Sequence, residues 1–381
     1  MNILYCIPHL YNSGGMERVL TQKVNWLATH TNHHITILTT ESTPQGMNDT
    51  YFALNERIRV AALNVNFDAD YRKPLLSKWF GHMRRMRQYK RALTTYIRAN
   101  DIDLCISMCG KEIAFLHRLP CRAIAELHFP KDQRRQLLQA NHNGAFWSLL
   151  GHIRTRQLVR AVRPLERLVV LTENDKADWL KAGCGNVICI PNPCSLEGQD
   201  LPLSPVRKKT VLAVGRLHEQ KGYDMLLKAW KTVEQQHPDW TLRIVGEGDK
   251  RLVLEAQIDE EKLHHVCLAG RMENVAKEYM EASCFVLSSR YEGLPLALIE
   301  AMWCGLPCVA FDCPHGPAEL LADERGWLVP NGDITALANS LEYVLSHPIE
   351  ASKRAQAAKI SAHATYSEEN IMPMWQQLIE Q

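Results

Sequence analysis

The chain has 381 residues, enough for two domains of about 100–200 residues each and too many for a single small module. Apolar residues make up 46% and charged residues 23%, which excludes a disordered or fibrous chain. The net charge of +2 conceals an imbalance, because residues 1–190 carry 26 Lys and Arg against 15 Asp and Glu and the remainder 18 against 27. The first half therefore suits an anionic partner such as lipid headgroups, phosphate or nucleic acid.

Met1 to Pro8 enters at once into an apolar strand-like run without a basic leader or cleavage site, so no signal peptide is expected. No apolar run approaches the ~18 residues that span a bilayer. The 12 cysteines, Cys6, Cys105, Cys109, Cys184, Cys284 and Cys313 among them, show no CxxC pair; free thiols in a reducing cytoplasm are expected rather than zinc.

Short apolar runs alternate with longer amphipathic stretches, the mark of parallel βαβ units. The first strand, Ile3 to Ile7, leads into the turn Pro8 to Glu17, where Gly14 and Gly15 allow close approach of the backbone to a bound group. An amphipathic helix follows with Val19, Leu20, Val24 and Leu27 on its apolar side, then a strand at Ile35 to Leu38. Between Tyr71 and Asn100 stand Arg72, Lys73, Lys78, Arg84, Arg85, Arg87, Lys90, Arg91 and Arg98 with no acid, interleaved with Leu75, Leu76, Trp79, Phe80, Met83 and Met86. That is the composition of a segment lying on anionic lipid, with Arg84, Arg85, Arg87, Lys90 and Arg91 as the membrane or acceptor face; the plain alternative is a solvated helix face. Strands at Leu104 to Ser107, Ala123 to Leu127, Leu168 to Leu171 and Val187 to Ile190 complete the first sheet, with His128 at its edge. On position alone a single histidine is ordinarily structural.

The proline-dense stretch from Pro191 to Pro205 forbids a continuous helix or central strand and marks a linker. The domains are thus 1–190, a linker at 191–207, and 208–364, with a helical stretch at 365–381 that can pack back on the first domain. The second sheet starts at Val211 to Val214 and is followed by Gly215-Arg-Leu-His-Glu-Gln-Lys-Gly222, whose Arg216 and Lys221 can converge on a diphosphate. Further strands lie near Leu242 to Val245, Val266 to Leu268, Phe285 to Leu287 and Cys308 to Phe311.

After the strand at Phe285 to Leu287 comes Tyr291-Glu-Gly-Leu-Pro295, with Glu292 and Glu300 separated by seven residues. Pro295 suits the first turn of a helix, which leaves the N–H groups of Gly293 and Leu294 at a positive helix end able to receive phosphate. Glu300, about 12 Å further along a regular helix, can take the hydroxyls of a ligand lying beside it. Cys313-Pro-His-Gly-Pro-Ala-Glu319 puts another glycine turn and an acid after the strand at Cys308 to Phe311.

Together, the Gly-Gly turn after the first strand, Gly215-Arg-Leu with Lys221-Gly222, and Glu292-x7-Glu300 around Gly-Leu-Pro resemble the retaining glycosyltransferases of family four. The resemblance runs in order over nearly the whole chain and is looser in the first domain. It implies the GT-B fold, an α/β architecture of two Rossmann-like, doubly wound parallel-sheet domains facing a central cleft. By that likeness Gly14, Gly15, Arg216, Lys221, Gly293 and Leu294 hold the donor diphosphate, Glu300 the ribose, and Arg271, Met272 and Val275 the nucleobase. Glu292 and His128 act on the donor sugar, with Gly316 and Glu319 nearby.

The same resemblance implies retention at the anomeric carbon through an oxocarbenium-like state, the departing phosphate helping to deprotonate the acceptor. No cofactor or metal is expected, and Asp68-Ala-Asp70 and Asp101-Ile-Asp103 are read as incidental. The expected co-substrate is a UDP-sugar before a GDP-sugar. The expected acceptor is a polyprenyl-diphosphate-linked glycan for capsule, O-antigen or a protein glycan, met at the inner face of the cell membrane by a cytoplasmic, peripherally bound enzyme.

Competing readings share parts of this pattern. A dehydrogenase needs Gly-x-Gly-x-x-Gly, and Gly246-Glu-Gly248 is followed at the third position by Arg251. A nucleotide-sugar epimerase of the same fold would keep a diphosphate site but has no use for the basic segment. A nucleic-acid or anionic-surface binder without catalysis would leave the acid-bearing second domain unused, and no nucleic-acid module is present.

Overall fold

The computed structural model describes residues 1–41, 50–67, 75–133, 135, 144–198 and 207–381. Asp68, Asp70, Arg72, Lys73 and linker residues 199–206 lie outside them, as do the side chains of Leu75, Leu76 and Lys78. The chain divides into two compact units, Met1–Pro191 with Met372–Gln381, and Asn192–Ile371.

The first unit holds a sheet in the order β3-β2-β1-β4-β5-β6-β7, parallel throughout. Its strands are β1 Asn2–Ile7, β2 His34–Thr39, β3 Arg59–Ala62, β4 Leu104–Ser107, β5 Arg122–Glu126, β6 Arg167–Val170 and β7 Val187–Cys189. Among the described residues its α-helices are α1 Gly15–His30, α2 Leu75–Ala99, α3 Ala145–Val162 and α4 Glu173–Lys181. Ile3 to Ile7 is buried along its length, because a parallel sheet covered on both faces needs apolar residues on both. Val19, Leu20, Val24 and Leu27 of α1 are fully buried, as their helical spacing predicts. Tyr89, Leu93 and Ile97 of α2 join Leu4, Cys105, Leu168 and Trp179 in the core.

The second unit repeats the plan in the order β10-β9-β8-β11-β12-β13, again all parallel. Its strands are β8 Thr210–Val214, β9 Thr241–Val245, β10 Val266–Gly270, β11 Cys284–Leu287, β12 Cys308–Asp312 and β13 Trp327–Pro330. Helices α5 Tyr223–Gln236, α6 Arg251–Glu261, α7 Val275–Glu281, α8 Leu296–Trp303, α9 Pro317–Leu320, α10 Ile334–Ser346 and α11 Pro348–Tyr366 accompany it. Val211, Leu226, Trp230, Leu242, Val286, Phe311 and Leu341 form its core. A last helix, α12 Glu368–Glu380, carries Trp375, Leu378 and Ile379, all buried, into the first unit.

Strand order reverses between β1 and β4 in one sheet and between β8 and β11 in the other, so the loops leaving each pair diverge at the strands' carboxyl ends. Ligands bind at such switch points. Two strands lie beyond the sequence reading, β3 and β13. Both have four residues at a sheet edge, Arg-Val-Ala-Ala only part-buried and Trp-Leu-Val-Pro ending in a proline that only an edge tolerates.

The first residues of the expected linker are ordered in the second unit. Cys194, Ser195 and Leu196 are buried, and the Cys194 N–H donates to Tyr366 O at 2.7 Å. All 12 cysteines are free thiols.

Candidate functional site

In the second unit the loops after β8 and β11 are stitched together at the switch point. Gly222 adopts φ 64°, and a Cβ there would stand 2.1 Å from Ser288 O, so only glycine lets the two loops approach this closely. Ser288 Oγ donates to Lys221 O at 2.8 Å and Arg290 N–H to Gln220 O at 2.8 Å. The Arg290 guanidinium grips both oxygens of Asp224, at 2.8 and 2.7 Å, at the start of α5. Asp224 is driven up by burial but pulled further down by Arg290, so its carboxyl titrates below its usual range.

That scaffold delivers Lys221 to Glu292. Lys221 Nζ donates to Glu292 Oε1 at 2.6 Å, Ser289 Oγ donates to the same oxygen at 2.6 Å, and Gln220 Nε2 approaches Oε2 at 3.4 Å. Glu292 is only 6% exposed. Arg216 and Lys221, the two cations expected to converge on a diphosphate, differ in their surroundings. Arg216 is exposed and pairs with no described acid, whereas Lys221 spends one of its three donors on Glu292. Oε2, with one long hydrogen bond, is the less satisfied carboxylate oxygen.

Pro295 is the N-cap of α8, at φ −74° and ψ 96°, rather than a residue of its first turn, and the helix has eight residues. Neither the Gly293 nor the Leu294 N–H donates to a described residue. Gly316, at φ 90°, lies against this turn; a Cβ there would meet Pro295 Cδ at 2.5 Å. Glu319 lies just beyond, in α9.

Glu300 is not laid open along α8. It is buried, Tyr279 OH donates to its Oε2 at 2.7 Å, and Ser195 Oγ donates to its Oε1. Arg271 to Asn274 form the turn after β10, with Arg271 exposed, Met272 part-buried and the Asn274 side chain capping α7 through the Lys277 N–H at 3.1 Å; Val275 opens that helix.

In the first unit Gly14 is the N-cap of α1 and Gly15 its first residue. Glu17 folds back over that turn and pairs with His9 at 3.2 Å; this hydrogen bond, together with Glu17's charge, outweighs partial burial and raises the His9 imidazole above its usual range. His128, at the end of β5, is buried with its Nε2 3.1 Å from Glu126 Oε1. Glu126 and Lys23 are both 0% exposed, and Lys23 Nζ donates to the two carboxylate oxygens at 2.6 and 2.5 Å. Lys23 Nζ lies 3.6 Å from the centre of the Trp375 ring. Burial alone would raise the Glu126 carboxyl, but Lys23 and His128 hold it down to about 2. Burial draws the Lys23 ammonium below its usual range against the pull of Glu126.

Asp103 of the Asp-Ile-Asp motif accepts the Asn2 N–H at 2.7 Å, at the amino end of the sheet and away from the switch point. It is structural.

The basic segment forms α2. Its inner side is core, while Trp79, Phe80 (65% exposed) and Met83 are exposed beside Arg84, Arg87 and Arg91, with Arg85 and Lys90 part-buried. Sequence reasoning missed a companion: α3 exposes Phe146 (69%), Leu149 and Ile153, followed on the same helical face by Arg156 and Arg160, and it contains no acid. Spacing of three and four among Phe146, Leu149 and Ile153 was the available signal. Burial, then the charges of Lys111, Arg154 of α3 and Arg85, pull His82 of α2 below its usual value. Among the described residues no helix is long and apolar enough to cross a membrane.

A family model described as glycosyl transferases group 1 matches residues 201–361. An uncharacterized glycosyltransferase of Haemophilus influenzae is 29% identical over 90% of this chain and 90% of its own length. The amylovoran biosynthesis glycosyltransferase AmsD of Erwinia amylovora is 31% identical over 60% of this chain and 68% of its own. A Campylobacter jejuni N-acetyl-D-galactosaminyltransferase, named for an undecaprenol-PP-linked GalNAc acceptor, is 27% identical over 91% of this chain and 89% of its own. In fold, the chain matches S. aureus TarM, crystallised with UDP, at a TM-score of 0.79 and 15% identity over 100% of both chains. The two parallel sheets with their helices are therefore those of the GT-B fold.

Proposed function

The chain belongs to the group 1 glycosyl transferases, and from that premise we propose that it moves a hexose or N-acetylhexosamine from a UDP-sugar to a lipid-linked or polysaccharide acceptor in cell-surface glycan synthesis, with retention. The observation that carries the reading is the Lys221–Glu292 pair at the β8/β11 switch point, with exposed Arg216 and the undonated N–H groups of Gly293 and Leu294 on the same loops. Arg216, Lys221 and the two N–H groups neutralise the departing diphosphate, a task for which fixed donors in a partly dry site are effective without a metal. Glu292 Oε2 accepts a sugar hydroxyl, Glu300 the ribose hydroxyls, and the turn at Arg271 to Val275 the base. His128, Gly14, Gly15, Gly316 and Glu319 keep the donor-side roles that the family resemblance assigns.

No side-chain nucleophile is invoked. The leaving phosphate oxygen takes the acceptor proton as the new bond forms on the face the nucleotide leaves. The reading is tested by binding and hydrolysis across UDP-sugars and GDP-mannose in EDTA, with the intact protein, Arg216→Ala and Glu300→Ala. UDP-sugars come first because the fold neighbour TarM was crystallised with UDP. One donor turning over in EDTA, and losing both binding and turnover in each variant, is expected; no binding by any donor rejects the diphosphate site.

The acceptor proposal draws on the C. jejuni relative, whose named acceptor is an undecaprenol-linked glycan. Exposed aromatic residues of α2 and α3 beside arginines suit peripheral attachment to an anionic cytoplasmic leaflet. Arg84, Arg85 and Arg87 changed together to Gln should weaken binding to phosphatidylglycerol vesicles by about 3 kcal/mol at low salt, roughly 1 per charge. Co-sedimentation unchanged from the unmodified protein rejects the membrane face.

A further inference from the structure

We infer that Glu126, kept ionised by the buried Lys23, is a positioning residue that sets the tautomer of His128. The inference rests on the proposed role of His128 at the donor sugar and explains how that imidazole is prepared for it.

An ionised carboxylate only accepts hydrogen bonds, whereas a protonated one also donates. Lys23 Nζ meets both Glu126 oxygens, at 2.6 and 2.5 Å, inside a region that water does not reach. Its charge removes the reason for the buried acid to bind a proton, in agreement with a carboxyl held down to about 2. Glu126 Oε1 stands 3.1 Å from the His128 Nε2, off the line of a hydrogen bond, and an anionic oxygen that close repels a nitrogen lone pair and attracts an N–H. The carboxylate's charge thus selects the Nε2–H form, and Nδ1 is the nitrogen left with a lone pair for a sugar hydroxyl.

The surroundings argue that this arrangement is held rather than incidental. Lys23 stands four residues from both Val19 and Leu27 on the apolar side of α1, a position where an aliphatic residue would pack at no electrostatic cost. The Trp375 ring, 3.6 Å from Nζ, covers it with a cation–π contact. Trp375 covers Lys23, Lys23 holds both Glu126 oxygens, and Glu126 Oε1 stands against His128.

The test uses the full chain labelled with 15N-histidine, the His128 signals being assigned by their loss in His128→Gln among the 16 histidines. The expected spectrum has a pyrrole-type Nε2 and a pyridine-type Nδ1; a protonated Nδ1 in the unmodified protein overturns the inference without any variant. Lys23→Met/Glu126→Leu, which replaces the pair by apolar side chains, should mix the tautomers. On the UDP-sugar selected by the donor panel it should lower kcat by about 10- to 100-fold, the scale of a misplacement on the order of 1 Å, with KM changed less than about twofold. Lys23→Met/Glu126→Gln restores an acceptor oxygen and should recover most of kcat. A Leu variant that keeps the tautomer, with kcat unchanged or lowered, overturns the inference. His128→Ala separates the two failures: full activity there rejects the role of His128, while the tautomer result continues to decide the role of Glu126.

Discussion

Lys23→Met alone is expected to cost the first unit about 3–5 kcal/mol, because it strands the Glu126 carboxylate in a fully buried site. The ion pair is not by itself a large source of stability, since desolvation of both charges offsets most of their attraction. Breaking one side is what costs, so Lys23→Met/Glu126→Leu should recover most of the loss. Hydrogen exchange on peptides covering β1 and β5 reads this unit separately from the other, which global denaturation of a two-unit chain cannot do. Equal protection in the single variant and the unmodified protein would show that Glu126 relaxes towards solvent.

The acid limb follows from the same group. With a folded pKa of about 2 against an ordinary 4.5, Glu126 contributes stability that is complete above the ordinary value. That contribution drains as pH falls from 4.5 towards 2. Protection of β5 should decline over that window in the unmodified protein and stay flat there in the Met/Leu variant.

Glu292→Gln is expected to lower donor turnover by about 10²–10³-fold, the scale of losing one preorganised electrostatic contact. Gln keeps the shape and can accept from Lys221 and Ser289, but the charge that fixes Lys221 is gone. Lys221→Met should lose a similar factor, and the double variant little more than either single one, because the two side chains act as a unit. Additive losses would separate them and remove the pair as the core of the site. Single-turnover rates with the donor selected by the panel supply the comparison.

The central strands of both sheets were readable because strands covered on both faces must be continuously apolar. Edge strands carry no such requirement: β7 and β10 still show short apolar runs, but β3 and β13 left little trace in Arg-Val-Ala-Ala and Trp-Leu-Val-Pro. The Glu292 and Lys221 motifs were equally visible, since glycines and a proline punctuate their loops. What those residues touch was not. Ser195 reaches Glu300 across 105 positions and Lys23 reaches Glu126 across 103, and no local pattern in one sequence records such pairings. Lys23 did carry one clue, a cation in the middle of an otherwise apolar helix face. The apolar stripe of α3 is likewise visible as spacing, but its outward direction depends on which face the core takes.

The membership of Met372–Gln381 in the first unit bears on how the protein is made. A growing chain releases residues 1–191 from the ribosome early, yet Trp375 emerges only after all of the second unit. Until then Lys23 and its acid lack their aromatic cover. The domain whose strands are synthesised first is therefore the one whose packing closes last.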